Sequence, residues 1–571
     1  MTLTATVKVA EYLFRRLKQL GVDSVHGVPG DYNLTLLDYV EPAGLLWVGN
    51  ANELNAGYAT DGYARIKGLG ALVTTFGVGE LSAMNAIAGA YAERVPVVHI
   101  VGVPGRPTQD DRVRVHHTFN DGNFTRFSEM ARHVTVAQTK LWDPQTSAEQ
   151  VDWILQQAII HSRPVYIEVP VDVVDLVISS QRLEQEFTLP TPVSGASFDS
   201  TVEGVLSRIS ASKQPVILVD GEIRAMKVVE DVQRISKTTN WPTWITCFSK
   251  GMLDETLPNF HGIYRGVHDV AETQTFIRDA DLILYFGSHP STTNTFFSSS
   301  IPDTQKTIAF SDTTVKIGPV TVRDVPAGRI LPIIADALAE SKSEVYKEYP
   351  KLAKDQLFSF SQVSKDEPIV QDSAWRLMGN FFKPGDIVMA ETGTSGYGVR
   401  HLPLPQGAKF FGPVTWLSIG YMLPAAQGAA LAQRELAKST GAPQARTVLF
   451  IGDGSLQMTV QELSTMIQHD LDVVVFVINN DGYTIERCIH GLGQKYNDVA
   501  RWRYLHAPKL FGAAEDSFTA RAETNGELEK VLSDPKLVEG TGLRMVEVIM
   551  DREDAPAGPL MHLLESQRKR Q

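Results

Sequence analysis

One segment, residues 447–482, constrains the fold of this chain more than any other. Residues 447–451 form an apolar, β-branched run that predicts a strand, Gly452-Asp453-Gly454 predicts a tight turn, and apolar residues at helical spacing follow it. A second apolar run, 472–478, ends at Asn479-Asn480-Asp481-Gly482. This strand–helix–strand order predicts a parallel α/β sheet, which binds ligands at the carboxyl ends of its strands.

The two turns carry groups that suit a magnesium ion and a diphosphate. Magnesium prefers oxygen ligands, and Asp453, Asn480 and the Gly482 carbonyl can supply three. Gly452 and Gly454 let the backbone approach a diphosphate, whose charge is favoured at the start of the next helix. Gly-Asp-Gly followed, after 24 residues, by Asn-Asn is the signature of thiamine-diphosphate enzymes.

The alternation of strand and helix patterns recurs along the chain and predicts an α/β fold of three domains with mostly parallel sheets. We place the domains at residues 1–185, 186–360 and 361–571, with a linker rich in proline and serine around the first boundary. A length of 571 residues agrees with several domains of ordinary size. Strands are predicted at residues 22–25, 45–48, 71–76, 97–101, 164–169, 215–219, 282–286, 307–310, 387–390, 447–451 and 472–478.

Charge and cysteine content narrow the classes of function. A net charge of −13 offers no electrostatic attraction to nucleic acid or to an anionic membrane, so neither is an expected partner. The two cysteines, Cys247 and Cys488, form no CxxC motif and indicate neither a disulfide framework nor a thiolate metal site. The N-terminal segment lacks the apolar core of a signal peptide, and we expect a cytoplasmic protein that acts on a small molecule.

Seven motifs extend the pattern over nearly the whole chain. Through them the chain resembles the thiamine-diphosphate-dependent 2-oxo-acid decarboxylases, especially the fungal pyruvate decarboxylases. The resemblance implies a lyase of the thiamine-diphosphate-binding fold that converts 2-oxo acids into aldehydes and CO2 without oxidation. The motifs are residues 27–33, 50–55, 75–82, 116–118, 391–395, 452–457 and 479–486.

The resemblance also implies what each domain binds. The first would bind the pyrimidine ring of thiamine diphosphate, the second would be the central domain, and the third would bind the diphosphate with Mg. Family members bind the cofactor between subunits, so Glu53 of one chain would face Asp453 and Asn480 of another. We therefore expect a homodimer or a homotetramer.

Most expected cofactor contacts come from the third domain. By resemblance, Ile419 would be the apolar wedge that bends the cofactor, and the carbonyl oxygen of Leu417 would accept a hydrogen bond from its amino group. Glu53 would bond the aminopyrimidine ring. The expected cofactor-binding residues are Glu53, Thr394, Leu417, Ile419, Gly452, Asp453, Gly454, Ser455, Asn480, Gly482 and Tyr483, of which Asp453, Asn480 and Gly482 would bind the metal.

The same resemblance assigns the catalytic groups. Glu53 would promote removal of a proton from the cofactor, and Asp31, His116, His117 and Glu486 would orient the substrate and relay protons after CO2 leaves. Titratable groups with a pKa near neutrality suit such a relay. The order of proton transfer among these four groups is left open.

Four residues are expected to line the substrate pocket, namely Thr293, Thr392, Gly396 and Ile485. Relatives specific for pyruvate carry a bulky aromatic residue where this chain has Thr293, and an alanine is usual where it has Gly396. Both departures predict a roomier pocket that also accepts branched or aromatic 2-oxo acids.

Three alternative functions remain. A carboligase of the acetolactate synthase type would pass the reaction intermediate to a second 2-oxo acid, although the His116-His117 pair and Glu486 argue against it. A nicotinamide oxidoreductase is disfavoured because Ser82 replaces the third glycine of a dinucleotide-binding motif that would begin at Gly77. A non-catalytic binding protein is disfavoured because the catalytic groups are retained.

Overall fold

The computed structural model describes residues 5–341, 346, 352, 354 and 356–569. Its strands form three large sheets, which follow one another along the chain, and one small antiparallel pair. The prediction of an α/β fold with mostly parallel sheets is confirmed. The three predicted domains also include residues 1–4, 342–345, 347–351, 353, 355, 570 and 571, which lie outside the described residues, and their boundaries stay a prediction.

The first sheet has six parallel strands in the order β3-β2-β4-β5-β7-β6, and the separate antiparallel pair β1–β8 joins the two ends of this region. The strands are β1 Thr6–Lys8, β2 Ser24–Gly27, β3 Leu46–Trp47, β4 Gly70–Thr75, β5 Val97–Val103, β6 Ala137–Lys140, β7 Val165–Pro170 and β8 Val177–Ser179. The helices are α1 Val9–Gln19, α2 Leu34–Leu37, α3 Glu53–Lys67, α4 Val78–Ala92, α5 Arg106–Asp110, α6 Arg126–Ala131 and α7 Pro144–His161.

The central sheet has seven strands in the order β11-β10-β9-β12-β13-β14-β15. Its first five strands are parallel, and β14 and β15 extend it as an antiparallel hairpin that the sequence patterns did not predict. The strands are β9 Pro215–Val219, β10 Thr243–Ile245, β11 Phe260–Ile263, β12 Leu282–Phe286, β13 Thr307–Phe310, β14 Thr314–Ile317 and β15 Val320–Arg323. The helices are α8 Phe198–Ala211, α9 Glu222–Ala225, α10 Val229–Thr239, α11 Ala271–Asp279 and α12 Ala327–Ser341.

The third sheet has six parallel strands in the order β17-β16-β18-β19-β21-β20. The strands are β16 Ile387–Ala390, β17 Lys409–Phe411, β18 Thr447–Gly452, β19 Val473–Asn479, β20 Thr519–Ala522 and β21 Leu543–Ile549. The helices are α13 Gln371–Met378, α14 Thr394–Val399, α15 Met422–Thr440, α16 Asp453–Thr459, α17 Glu462–Gln468, α18 Thr484–Ile489, α19 Ala507–Leu510, α20 Asn525–Leu532, α21 Pro535–Val538 and α22 Pro559–Arg568.

The inner strands of the first and third sheets read as continuous apolar runs because both of their faces are buried. All residues of β4 and β5 are buried, as are the first five of β18 and the first six of β19. Among the described residues, none of the helices combines the length and the apolar character that a membrane crossing requires. The cytoplasmic location stays a prediction.

Helices α3 and α15 pack against each other and join the first sheet to the third. A Cβ on Gly62 of α3 would overlap the carbonyl oxygen of Ala425, and a Cβ on Gly428 of α15 would overlap the carbonyl oxygen of Ala59. The two backbones are therefore in direct contact. Glycine is required at both positions because any side chain would force the helices apart.

We predict that Gly62→Ala or Gly428→Ala lowers the free energy of unfolding by about 1–3 kcal/mol or more, because each methyl group would overlap the backbone of the facing helix. Urea unfolding monitored by tryptophan fluorescence measures the change. Gly328→Ala is the matched control, since Gly328 also lies in a helix and a Cβ there meets no atom within 4 Å. Equal stability of all three variants would contradict the close packing of α3 and α15.

Candidate active site

Asp453 begins α16 directly after β18, at the carboxyl edge of the third sheet. The side chain is 1% exposed, and its two oxygens accept hydrogen bonds from the backbone N–H groups of Gly454 at 2.9 Å and of Gly482 at 3.0 Å. Burial raises the pKa of this carboxyl to about 6. The two predicted turns are therefore linked, because the Gly482 N–H of the second turn donates to the Asp453 carboxylate of the first.

The side-chain amide of Asn480 completes a group of oxygens around Asp453. One end of the amide lies 3.3 Å from Asp453 Oδ1 and 2.7 Å from the Gly482 carbonyl oxygen, and the other end lies 3.0 Å from Thr484 Oγ1. When the amide oxygen faces the two acceptors, three oxygens converge, which is stable only with a cation among them. When the amide turns over, its nitrogen donates to the same two oxygens. The three residues therefore fit a magnesium ion.

Hydroxyl groups at the start of α14 lack protein partners. Thr392 Oγ1 and Ser395 Oγ are buried and form no hydrogen bond within the described part of the chain. Thr394, the first residue of α14, is buried between them in sequence, and Ser455 is buried in the first turn of α16. Orphan hydroxyls and helix N-terminal N–H groups are what a phosphate oxygen needs, so these residues fit a diphosphate.

The backbone at Gly454 leaves no room for a side chain. A Cβ on Gly454 would overlap the aromatic ring of Tyr483, whereas a Cβ on Gly452 would meet no atom within 4 Å. Tyr483 therefore lies against the first turn of α16. The predicted residues Gly452, Gly454 and Tyr483 come together around Asp453.

The loop that carries Leu417 and Ile419 lies between the first and third sheets. Leu417 adopts a left-handed backbone conformation, with φ of 56°, that is uncommon for a residue with a side chain. The Thr459 hydroxyl donates to the Gly420 carbonyl oxygen at 2.7 Å, and Ser418 Oγ lies 2.7 Å from the hydroxyl of Tyr58 in α3. The loop is thereby anchored on both sides.

A second group of predicted residues lies at the carboxyl edge of the first sheet. His116 Nε2 lies 2.6 Å from Asp31 Oδ2, and His117 Nε2 lies 3.7 Å from Asp31 Oδ1. The ring of Tyr32 stacks on the ring of His116, with centroids 5.0 Å apart. Asp31 is thus shared by both histidines, as a proton relay requires, although 31 and 116–117 are far apart in the sequence.

The turn at Gly77 places Glu53 beside the histidines. Gly77 has φ of 67°, and a Cβ there would overlap the carbonyl oxygen of His117. A Cβ on Gly79 would lie 3.1 Å from Glu53 Oε1. The Glu80 carboxyl holds this turn by accepting from the Gly77 N–H at 2.8 Å. We call Asp31, Glu53, His116 and His117 the histidine half-site, and Asp453, Asn480 and Gly482 the metal half-site.

The two half-sites are separate within one chain. No hydrogen bond or ion pair of the described residues joins a member of the histidine half-site to a member of the metal half-site. The side chains of Asp31 and His116 are 48% and 58% exposed. Glu486, the fourth predicted relay group, is exposed on α18 and follows the metal half-site in the chain.

Two of the predicted pocket residues border apolar surfaces. The Thr293 hydroxyl donates to the carbonyl oxygen of Val414, and Thr293 lines a cavity of about 40 Å³ between the central and third sheets. Ile485 packs against an apolar cluster that includes Leu560, and Tyr397 packs against the same cluster. Their role in a substrate pocket stays a prediction.

Gly396, which we expected to enlarge the substrate pocket, lies close to the backbone of Glu391. A Cβ at this position would lie 2.9 Å from the carbonyl oxygen of Glu391, so close approach of the backbone accounts for the glycine. This geometry does not support a gain of substrate space at Gly396. The assignment of Gly396 and Thr392 to the pocket remains a prediction.

Glu391 is a candidate site residue to which the sequence reasoning assigned no role. It directly follows β16, is fully buried, and accepts from the N–H groups of Thr392 at 2.7 Å and Met422 at 2.8 Å. Burial raises the pKa of its carboxyl to about 7. The sequence contained one signal for a role of Glu391 in the site, namely its position directly after a strand, like that of Asp453.

Models of three domain families match the chain. The thiamine pyrophosphate enzyme N-terminal TPP binding domain matches residues 7–125, the central domain of the same enzymes matches residues 202–338, and their C-terminal TPP binding domain matches residues 391–548. The histidine half-site lies in the first match and the metal half-site in the third. Thr293 lies in the second.

Named relatives match the chain over nearly its whole length. A pyruvate decarboxylase of Aspergillus parasiticus is 50% identical, with 98% of each chain covered. Pyruvate decarboxylase isozyme 1 of Saccharomyces cerevisiae is 38% identical, with 96% of each chain covered. A solved structure, the thiamine diphosphate-dependent 4-hydroxybenzoylformate decarboxylase of Rhodococcus jostii RHA1, superposes with a TM-score of 0.76 at 19% identity, covering 95% of this chain and 99% of that one, and shows that the fold is shared.

Glu80, which holds the Gly77 turn, predicts a pH dependence of stability. Burial raises the pKa of Glu80 from 4.5 to about 8, so between about pH 7 and pH 8 this carboxyl is protonated in the folded chain and ionised in the unfolded one. Stability therefore falls as pH rises, by up to about 1.4 kcal/mol per pH unit. Glu391, with a pKa of about 7, titrates at the lower end of this window and adds a smaller part of the slope, which remains in Glu80→Gln.

The measurement is urea unfolding at several pH values from 7 to 8. Glu80→Gln should flatten the pH dependence in this window, because glutamine does not titrate. Glu149→Gln is the control, since the Glu149 side chain is 72% exposed and should leave the slope as it is in the wild type. A Glu80→Gln slope equal to that of the wild type would contradict the assignment.

Proposed function

The chain belongs to the thiamine pyrophosphate-dependent enzymes, in the group of the fungal pyruvate decarboxylases, and we propose that it removes CO2 non-oxidatively from pyruvate and releases acetaldehyde. The observation that carries this proposal is the pairing of a complete metal half-site with a histidine half-site in one chain. The relatives that share this architecture along their whole length are named pyruvate decarboxylases.

The residues of the third sheet fit thiamine diphosphate and Mg. Asp453, Asn480 and the Gly482 carbonyl would bind the metal, because the end of the Asn480 amide lies 3.3 Å from Asp453 Oδ1 and 2.7 Å from the Gly482 carbonyl oxygen, and its oxygen can face them when a cation is bound. The orphan hydroxyl of Thr392 and the N-termini of α14 and α16 would hold the diphosphate. When bound, the thiazolium ring supplies the electron sink that accepts the electron pair left behind when CO2 departs.

The protein's own groups would position the reactants and move protons. The Glu53 carboxylate would hold the aminopyrimidine ring through a hydrogen bond. The Asp31 carboxylate accepts from His116 Nε2, which orients that imidazole. A protonated His116 or His117 would then deliver a proton to the reacting carbon, with Glu486 closing the site from the other half.

We propose a homodimer as the smallest active form, with a homotetramer as a possible larger assembly. The half-sites are separate in one chain, and groups that need a water-excluded environment are about half exposed there. Large apolar side chains are also exposed next to both half-sites: Val78 and Phe119 are 55% and 54% exposed near the first, and Met458 is 48% exposed near the second. A second subunit would cover these surfaces.

The alternative of an acetolactate synthase-type carboligase is not favoured by the relatives. The substrate range remains a proposal: Thr293 would admit branched or aromatic 2-oxo acids in addition to pyruvate. A carboligase would form acetolactate where a decarboxylase releases acetaldehyde, so analysis of the product separates the two reactions.

The activity is tested by aldehyde release from pyruvate, 2-oxoisovalerate and phenylpyruvate. We expect acetaldehyde from pyruvate, a loss of about 100-fold or more in kcat for Glu53→Gln, and no activity after removal of Mg and cofactor. Glu149→Gln is the exposed control and should retain full activity. Acetolactate as the main product would contradict the proposed reaction. Turnover of pyruvate alone would leave the reaction intact and contradict the wider range.

The shared site is tested by mixing two inactive variants, Glu53→Gln and Asp453→Asn, under conditions that exchange subunits. A mixed dimer contains one site with both defects and one intact site, so random exchange should restore about a quarter of wild-type activity. Sedimentation of each variant alone verifies that both still associate. If the mixture stays inactive although subunits exchange, each site belongs to a single chain.

A further inference from the structure

The cavity of about 40 Å³ between the central and third sheets contains a buried cation that the proposed chemistry does not use. Arg400 lines this cavity together with Thr293, Cys247, Tyr397 and His401. Arg400 is only 7% exposed. It follows the last residue of α14, the helix that carries Thr394 at its other end.

Arg400 has no carboxylate partner among the described residues. One guanidinium nitrogen, Nη2, donates to the Pro413 carbonyl oxygen at 2.7 Å, and Nε is buried without an acceptor. The guanidinium carbon lies 5.7 Å from the centre of the Tyr397 ring, which offers only a weak attraction. The guanidinium also interacts with the Cys247 thiol, which is only a weak acceptor. An arginine remains charged in proteins, so Arg400 keeps a charge without a carboxylate and an Nε–H without an acceptor.

Among the described residues, four other arginines that are at least as buried as Arg400 are neutralised. Arg16, Arg446, Arg487 and Arg544 each form an ion pair with an aspartate. A buried charge without a partner is costly, which is why proteins pair such groups. Arg400 departs from this pattern at the wall of a cavity, where a ligand can reach it.

The groups around Arg400 do not supply a negative charge. Burial raises the pKa of the Cys247 thiol, which therefore stays neutral near pH 7. Burial, together with Arg265, Lys250, Arg400 and Arg376, lowers the pKa of His401 to about 3, so this imidazole is also neutral. Its buried Nδ1 has no hydrogen-bond partner among the described residues and can serve as a second polar contact.

The neighbouring cations are already paired. Lys250 lies 2.5 Å from Glu255, Arg265 lies 3.6 Å from Asp269, and Arg376 lies 3.5 Å from Asp372. Their charges are thus largely compensated locally, and that of Arg400 is not. The unsatisfied N–H donor and the uncompensated positive charge therefore belong to the same side chain, Arg400.

We propose that this cavity binds a small carboxylate anion through the guanidinium group of Arg400. A carboxylate matches the planar fork of arginine, and its second oxygen could accept from His401. Two sources have this chemistry: a separate small carboxylate, or the distal carboxylate of a dicarboxylic 2-oxo acid whose reacting end lies at the site of the proposed function.

Binding is measured by calorimetric titration of the holoenzyme with acetate, at constant ionic strength, against acetamide as the neutral isostere. We expect saturable acetate binding that is about tenfold or more weaker for acetamide and for Arg400→Gln, and partly retained in Arg400→Lys. Arg376→Gln is the matched control and should bind acetate as the wild type does. Thermal melting verifies that all the variants fold.

The source is decided by comparing turnover of 2-oxoglutarate with that of 2-oxopentanoate, which has the same length and no distal carboxylate. A preference for 2-oxoglutarate that Arg400→Gln abolishes assigns the anion to the substrate, and acetate binding without such a preference assigns it to a separate ligand. Acetate binding equal to that of acetamide, or unchanged in Arg400→Gln, overturns the carboxylate site. Failure of the proposed function would instead appear as no turnover of pyruvate, with acetate binding intact.

Discussion

The direct backbone contact between α3 and α15 is the constraint on which the site depends. These helices meet through Gly62 and Gly428, each of which lies against a carbonyl oxygen of the other helix. Because interiors are close-packed and do not deform smoothly, this contact sets the distance between the first and third sheets. The start of α3 carries Glu53, and the loop before α15 carries Leu417 and Ile419, so the same contact positions both.

Buried ionic groups reinforce this junction. Arg65 of α3 pairs with Asp61 at 2.6 Å and with Glu93 at 2.9 Å, and all three side chains are almost fully buried. Glu93 also accepts from the N–H groups of Val414 and Thr415, at 2.8 and 3.0 Å. The loop that leads to Leu417 is thereby held by a carboxylate of the first sheet's helices, which explains how an uncommon backbone conformation persists there.

Each half of the site leaves polar groups that a single chain does not satisfy. Near α14 two buried hydroxyls lack partners among the described residues, which is costly unless a ligand is bound. Around Asp31 the opposite holds, because His116 is already hydrogen-bonded to Asp31 and both side chains remain open to water. The metal half-site therefore needs a small ligand to satisfy its polar groups, whereas the histidine half-site needs a second subunit to shield it from water.

The sequence by itself determined the α/β class, eleven of the nineteen strands that the structure describes in the three sheets, and the two turns that carry Asp453 and Asn480, because these depend on local periodicity and on turns at strand ends. The antiparallel hairpin of β14 and β15 was not predicted, since short edge strands carry little periodic signal. Only the tertiary structure decided that Gly396 approaches a backbone oxygen, that Glu391 anchors Met422, and that Arg400 is buried without an acid. Such contacts join residues that are distant in the chain, and their energies depend on burial and geometry that no local pattern encodes.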